Sequence, residues 1–221
     1  MTVLHLADEG EAADLAAFLS RLLHYDRGAA VRLQAAGTAL AVFGRPPSFE
    51  VLAIRAVRLA KPYEDGLDVT LDVTVSAGEL LETVDESAAT ALVPAAVTGP
   101  PWAGVLPPRG GWRAESGLPA PDVLRATVSA AVAEFRSRTQ ELAPDGRTRA
   151  ELDRIGREIW SRTVGDTHLP VRALHAAQSL GFLRGGELAL FSSGAWLRLR
   201  TAYGSIAVRR AGLGALDVSV R

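Results

Sequence analysis

The sequence predicts an α+β fold. Three observations carry this: an amphipathic helix pattern near the N-terminus, four strand patterns joined by short connections, and a later run of three helices that ends in strands. Between the two parts lies a stretch rich in Pro, Gly and Trp.

Residues 8–25 read as the first helix. Leu15, Phe18, Leu19, Leu22 and Leu23 recur at helical spacing and form one apolar stripe. Asp8, Glu9 and Glu11 sit at the positive end of its dipole, and Arg21 and His24 at the negative end.

The strand patterns follow. Residues 31–34 and 38–43 flank Ala36-Gly37, a tight-turn signal. Residues 50–59 are apolar on both faces, as in a central strand. Residues 67–75 alternate without a break, with Leu67, Val69, Leu71, Val73 and Val75 on one face and Asp68, Thr70, Asp72 and Thr74 on the other. A short helix over 77–84 comes next. Short connections imply an antiparallel meander with helices on one side.

Residues 93–121 hold seven Pro, five Gly and two Trp. A loop of this length is uncommon unless it has a function. Trp102 and Trp112 carry apolar surface that needs burial, either against their own domain or as anchors for a partner.

Helices are expected at 121–142, from Thr148, and from Pro170 to Leu180. Thr148 and Glu151 have capping-box spacing, and Gly181 suits a helix C-terminus. The expected closing strands are 187–191, 195–201 and 205–210. The resulting division is an α/β-meander domain at 1–92, a Pro/Gly/Trp-rich loop or linker at 93–120, and a helical domain with a C-terminal β-hairpin at 121–221.

Composition narrows the function classes. Cys is absent, which removes disulfides, thiol nucleophiles and thiolate metal sites. No apolar run is long enough to span a bilayer, and the acidic N-terminus has no signal-peptide pattern, so a cytoplasmic protein with no membrane partner is expected. There are 23 Arg against one Lys, Lys61, which reads first as codon usage. The location of charge says more. Residues 1–146 carry 12 basic and 19 acidic side chains, net −7, while residues 147–221 carry 12 Arg and 6 acids, net +6. Such a split suggests an acidic partner for the C-terminal part, or docking of the two parts on each other.

The chemical motifs are sparse. Asp68 and Asp72, four strand positions apart, stand about 13 Å from each other, too far to share an ion. The histidines His5, His24, His168 and His175 have no metal-ligand spacing, although Asp166 lies near His168. Nucleophile-elbow and phosphate-loop patterns are absent, and no cofactor is expected.

The basic C-terminal strands offer more. Trp196, Arg198 and Arg200 alternate with Leu197 and Leu199 and share an outward face. With residues 202–205 as the turn, Leu199 pairs with Val208, and Arg198 lies opposite Arg209. The expected binding residues are therefore Arg198, Arg200, Arg209, Trp196, Trp102 and Trp112. Helix, turn, helix, then hairpin over Thr148–Arg210 resembles a winged helix-turn-helix, which implies DNA binding with one helix in the major groove. The presumed reading helix offers only Arg172, His175, Gln178 and Ser179 to bases.

Three functions are expected in order. The first is a non-enzymatic interaction protein whose Arg face meets an acidic surface on a protein partner, on its own N-terminal part or on a second copy. The second is a DNA-binding regulator. The third is a small enzyme with a pocket near the Trp-rich loop.

Overall fold

A computed structural model of the protein describes residues 2–47 and 50–210. The end of the expected C-terminal segment, 211–221, lies outside the described residues.

The fold is α+β. Strand β1 (Val3–His5) leads into helix α1 (Glu9–Tyr25). Asp8 caps α1, its carboxylate accepting from the Glu11 N–H at 2.8 Å. Strands β2 (Ala30–Ala36), β3 (Ala39–Gly44) and β4 (Leu52–Arg58) form an antiparallel meander. Gly37, with φ of 57°, takes the left-handed position in the β2–β3 turn. Strand β5 (Thr70–Ser76) then returns to the free edge of β2 rather than pairing with β4. Helix α2 (Ala77–Glu82) and strand β6 (Thr90–Leu92) follow, and β6 pairs with β1 in a small second sheet.

The unbroken alternation of 67–75 does not become one strand. Residues 65–68 close a tight turn on themselves, with mutual Asp65–Asp68 backbone bonds. Leu67 and Val69 are therefore exposed instead of sharing the buried face with Val75. Turn closure took the residues that alternation assigned to the sheet.

The second part begins with strand β7 (Arg113–Glu115), followed by helices α3 (Pro121–Glu141), α4 (Arg149–Trp160) and α5 (Val171–Ser179). Strands β8 (Leu188–Ser193), β9 (Trp196–Thr201) and β10 (Gly204–Arg209) end the described chain. Thr148 Oγ1 accepts from the Glu151 N–H at 3.2 Å, as a cap should. The Glu151 carboxylate turns to Arg154 instead of completing a capping box.

Both parts share one eight-stranded sheet, in the order β5-β2-β3-β4-β10-β9-β8-β7. The seam is β4 against β10, where Ala53 lies opposite Ile206 and Leu52 opposite Ala207. The hairpin that resembled a wing is thus paired on both sides, in the middle of the sheet. One face carries the main core. Leu33, Val42, Leu199 and Ile206 pack there with Leu15, Phe18, Leu124, Ile159 and Leu174 of the helices, all fully or nearly fully buried. Phe18 of α1 stacks on Phe182, just after α5, at 5.8 Å, so the two helical layers meet.

Ion pairs follow the local fold. Arg55 on β4 points into the core face, where it meets Glu11 at 2.9 Å and Asp14 at 3.1 Å. Arg58 meets Asp8 and Glu11. On the helical side, Arg138 and Arg162 bind Glu158 and Glu134 between α3 and α4.

Candidate interaction surface

The opposite face of the sheet collects the sequence-predicted residues. Phe43, Leu52, Ile54 and Ala207 form a second, smaller apolar cluster there, with Trp102, Leu106 and Trp196 packed against it. The proline-rich segment lies across this face as a strap.

Several bonds fix the strap. Val97 N–H donates to the Thr74 carbonyl at 2.9 Å. Trp102 sits in a one-turn 3-10 helix, Pro101–Gly104, and Arg32 donates to the Ala103 carbonyl of that turn. Arg32 is itself held by a two-pronged pair with Asp72, at 2.7 and 3.0 Å, and Gln34 adds a third bond to that carboxylate at 3.1 Å. The bond to Arg32 holds the Asp72 carboxyl below its ordinary range and raises the arginine correspondingly. The acidic strand face therefore ends partly as a clamp, while Asp68 remains in the exposed turn. Farther along, Trp112 Nε1 donates to the Pro108 carbonyl at 3.0 Å, and Ser193 Oγ donates to the Gly110 carbonyl at 3.2 Å. The strap then becomes β7, the edge strand beside β8.

The register of β9 and β10 differs from the sequence expectation by two residues. Leu199 lies opposite Ile206, not Val208, and Arg198 opposite Ala207, not Arg209. The connection is the two-residue turn Ala202-Tyr203. Thr201 tightens it, accepting from the Tyr203 N–H and donating to the Gly204 carbonyl. A shift of two keeps every side chain on its expected face. It also removes the like-charge pair and sets Arg209 opposite Trp196.

On this face three guanidinium groups lie over aromatic rings. Arg198 is 5.8 Å from the Trp112 ring centre, Arg200 5.2 Å from that of Phe191, and Arg209 5.3 Å from that of Trp196. Each such contact contributes about 0.5–1 kcal/mol at an exposed site. Burial, and then Arg200 beside it, hold the Arg198 guanidinium below its ordinary value, and its Nε is buried with no hydrogen-bond partner. Among the described residues, Arg198, Arg200 and Arg209 form no ion pair. The acids that do pair in the first part, Asp8, Glu11, Asp14 and Asp72, are taken by Arg55, Arg58 and Arg32.

Two concavities flank the strap. One, of 310 Å³, lies among Arg45, Leu52, Trp102, Trp196 and Arg209. The other, of 400 Å³, lies among Ala41, Ala56, Pro107, Arg109 and Arg198. Sequence reasoning missed Arg45, Arg109 and Phe191. Arg109 was visible within the strap, between Pro108 and Gly110. Phe191 was hidden because its role depends on which strand lies beside β9.

The histidines are dispersed over β1, the end of α1, the α4–α5 connection and α5. Among the described residues, no three or more His, Cys, Asp or Glu side chains are grouped to hold a metal ion. No described helix is long and apolar enough to cross a membrane.

Two family models match consecutive parts of the chain. Residues 1–104 are similar to Domain of unknown function (DUF8010), and residues 107–213 to Domain of unknown function (DUF8185). The boundary between the matches falls within the strap, between Trp102 and Trp112. No curated protein matches the chain.

Proposed function

We propose that this protein is a non-enzymatic interaction protein. Its strap-crossed sheet face would take an acidic segment of a partner protein. Arg198 and Arg209 carry this reading: they lie over the Trp112 and Trp196 rings yet have no carboxylate partner among the described residues. A guanidinium already positioned over an aromatic ring and not engaged by an acid can still donate to a carboxylate, with less ordering needed on binding.

An acidic protein segment fits this face better than duplex DNA does. The strap divides the face into concavities of 310 and 400 Å³, sized for side chains rather than for a duplex. Helix α5, the groove-reading candidate, is packed between α3, α4 and the sheet, and only Gln178 of its residues is exposed. The neighbouring hairpin has no free edge with which to act as a wing.

A fluorescent oligoglutamate peptide provides the test, with a DNA duplex of comparable charge as the comparison. Binding of the peptide should weaken as salt rises, and Arg198→Glu and Arg209→Glu should each weaken it about tenfold or more. Tighter, salt-steep binding of the duplex, or oligoglutamate binding that survives both reversals, would overturn the reading.

A further inference from the structure

A second site emerges from the arginines of the helical layer. Arg138, Arg154 and Arg162 are tied into one network with Glu134, Glu151 and Glu158, and Arg149 pairs with Asp153 at 3.8 Å. Arg157 of α4 and Arg172 of α5 stay outside it and form no ion pair among the described residues. Both line one cleft of 640 Å³ with Phe135, Leu152, Gly156 and Trp160. Arg172 Nε is buried there with no hydrogen-bond partner, a costly arrangement unless an acceptor arrives. Glu50 and Asp153 also border the cleft, and neither comes within ion-pairing distance of these two arginines.

The cleft has an aromatic wall. Trp160 stacks on His175 at 4.6 Å, with 14° between the rings, and leans on Phe135 at 6.0 Å. The wall is therefore braced from behind.

Gly156 is the most informative residue. It lies within α4, where glycine costs about 1 kcal/mol relative to alanine. Packing does not require it. A methyl group there would meet the Trp160 ring at 3.5 and 3.6 Å and Phe135 at 3.6 Å, ordinary contact distances. Its φ is helical, so the backbone does not require glycine either. What the missing side chain preserves is free volume at the floor of the cleft.

We infer that this cleft binds a small planar aromatic anion, with its ring against Trp160 and Phe135 and its carboxylate on Arg172 and Arg157. The volume falls within the range of small-molecule sites. The pairing of a flat apolar wall with two unpaired guanidiniums matches a flat apolar body that carries one negative group. Glu50 borders both this cleft and the 310 Å³ concavity of the sheet face, but the arginines and aromatic rings of the two sites are different, and neither reading depends on the other.

The test uses 2-naphthoate and its uncharged analogue 2-naphthamide on the full chain. Binding is followed at the indole N–H resonances of the four tryptophans. Naphthoate should shift the Trp160 resonance, and naphthamide should bind about tenfold more weakly or less. Arg172→Gln should weaken naphthoate about tenfold, the loss of one charge-assisted hydrogen bond. Gly156→Ala should raise Tm by about 2–4 °C while it weakens binding. That opposition separates a ligand role from a structural one. Several outcomes would overturn the proposal: equal binding of the amide, a shift confined to Trp112 or Trp196, unchanged binding in either variant, or a lower Tm for Gly156→Ala.

Discussion

Arg55 Nη2 and Glu11 Oε2 meet at 2.9 Å in the buried layer between β4 and α1, with side chains only 7% and 11% exposed. The other terminal nitrogen of Arg55 donates to the Tyr203 carbonyl in the β9–β10 turn, also at 2.9 Å. One guanidinium therefore ties the first helix, the seam strand and the last hairpin together. Removing Arg55 leaves the buried Glu11 carboxylate with Arg58 alone and takes the guanidinium from Asp14, and breaking a buried pair costs about 3–5 kcal/mol. Arg55→Met should lower Tm by roughly 6–20 °C in a chain of this size. Adding Glu11→Leu should restore part of that loss, because the more deeply buried carboxylate is then gone and only the partly exposed Asp14 lacks the guanidinium. Thermal unfolding of both single variants and the double variant checks this. Simple additivity would show that the pair is not the source.

Gly204, at the start of the seam strand β10, packs against Phe182, whose ring in turn stacks on Phe18 of α1 in the first part. A Cβ at Gly204 would lie 2.5 Å from Phe182 Cζ, inside any tolerated contact. The ring cannot retreat easily, since Phe182 is 2% exposed and stacked on Phe18. Gly204→Ala should destabilise the protein by about 1–3 kcal/mol, the usual range for overpacking. Combined with Phe182→Leu, the loss should be smaller than the sum of the two single losses. Chemical denaturation of the three variants measures this coupling.

Much of this architecture is legible from local pattern, and the failures have a common cause. The stripe of α1, the glycine turn at Gly37 and the outward face of Trp196, Arg198 and Arg200 depend on residues close together in sequence. Period and turn chemistry report such features directly. The seam of β4 with β10 joins residues about 150 positions apart, and nothing local marks it. Alternation also fixes a face without fixing a register. The β9–β10 register differs by two residues from a 202–205 turn because Thr201 closes a two-residue turn at Ala202-Tyr203 instead. For the same reason Leu67 and Val69 read as strand, although the Asp65–Asp68 turn takes them out of the sheet. Counting made the charge split visible, but not which arginines are already paired. That depended on the strap, whose course across the sheet is set by Arg32, Asp72 and two tryptophans rather than by any repeat.

His175 supplies a pH dependence. Burial holds its imidazole below the ordinary histidine value, so the folded chain binds a proton less readily than the unfolded chain. The stabilising contribution is then complete above the unfolded pKa, about 6.5, and is lost as pH falls below it toward the folded value. The carboxylates Asp72, Glu134 and Glu158 are held low by their arginines and begin to lose their contribution only around pH 4 or below. Between pH 7.5 and 5.5, Tm should fall in the native protein. It should fall measurably less in His175→Phe, which keeps a ring against Trp160. Equal pH slopes for the two proteins in that interval would refute the assignment.

The strap should be separable from the sheet beneath it. Trp102 covers Phe43, Leu52 and Ile54 on the outer face, whereas the main core lies on the other side and does not touch it. Trp102→Ala should therefore cost less than truncating a core aromatic, which costs about 3–5 kcal/mol. Its larger effect should be local. Arg109 and Arg113 lie in or just beyond the strap, and their cleavage by trypsin requires that segment to open. Limited proteolysis of Trp102→Ala should cut there many times faster than in the native chain, while global unfolding shifts only modestly. Asp72→Asn should act in the same direction, because it releases Arg32 and with it the bond to the Ala103 carbonyl. If both variants were cut no faster than the native protein, the strap would be held by something other than the tryptophan and the Arg32–Asp72 clamp. If both unfolded globally before they were cut, the strap would be part of the main folding unit rather than a cover laid across it.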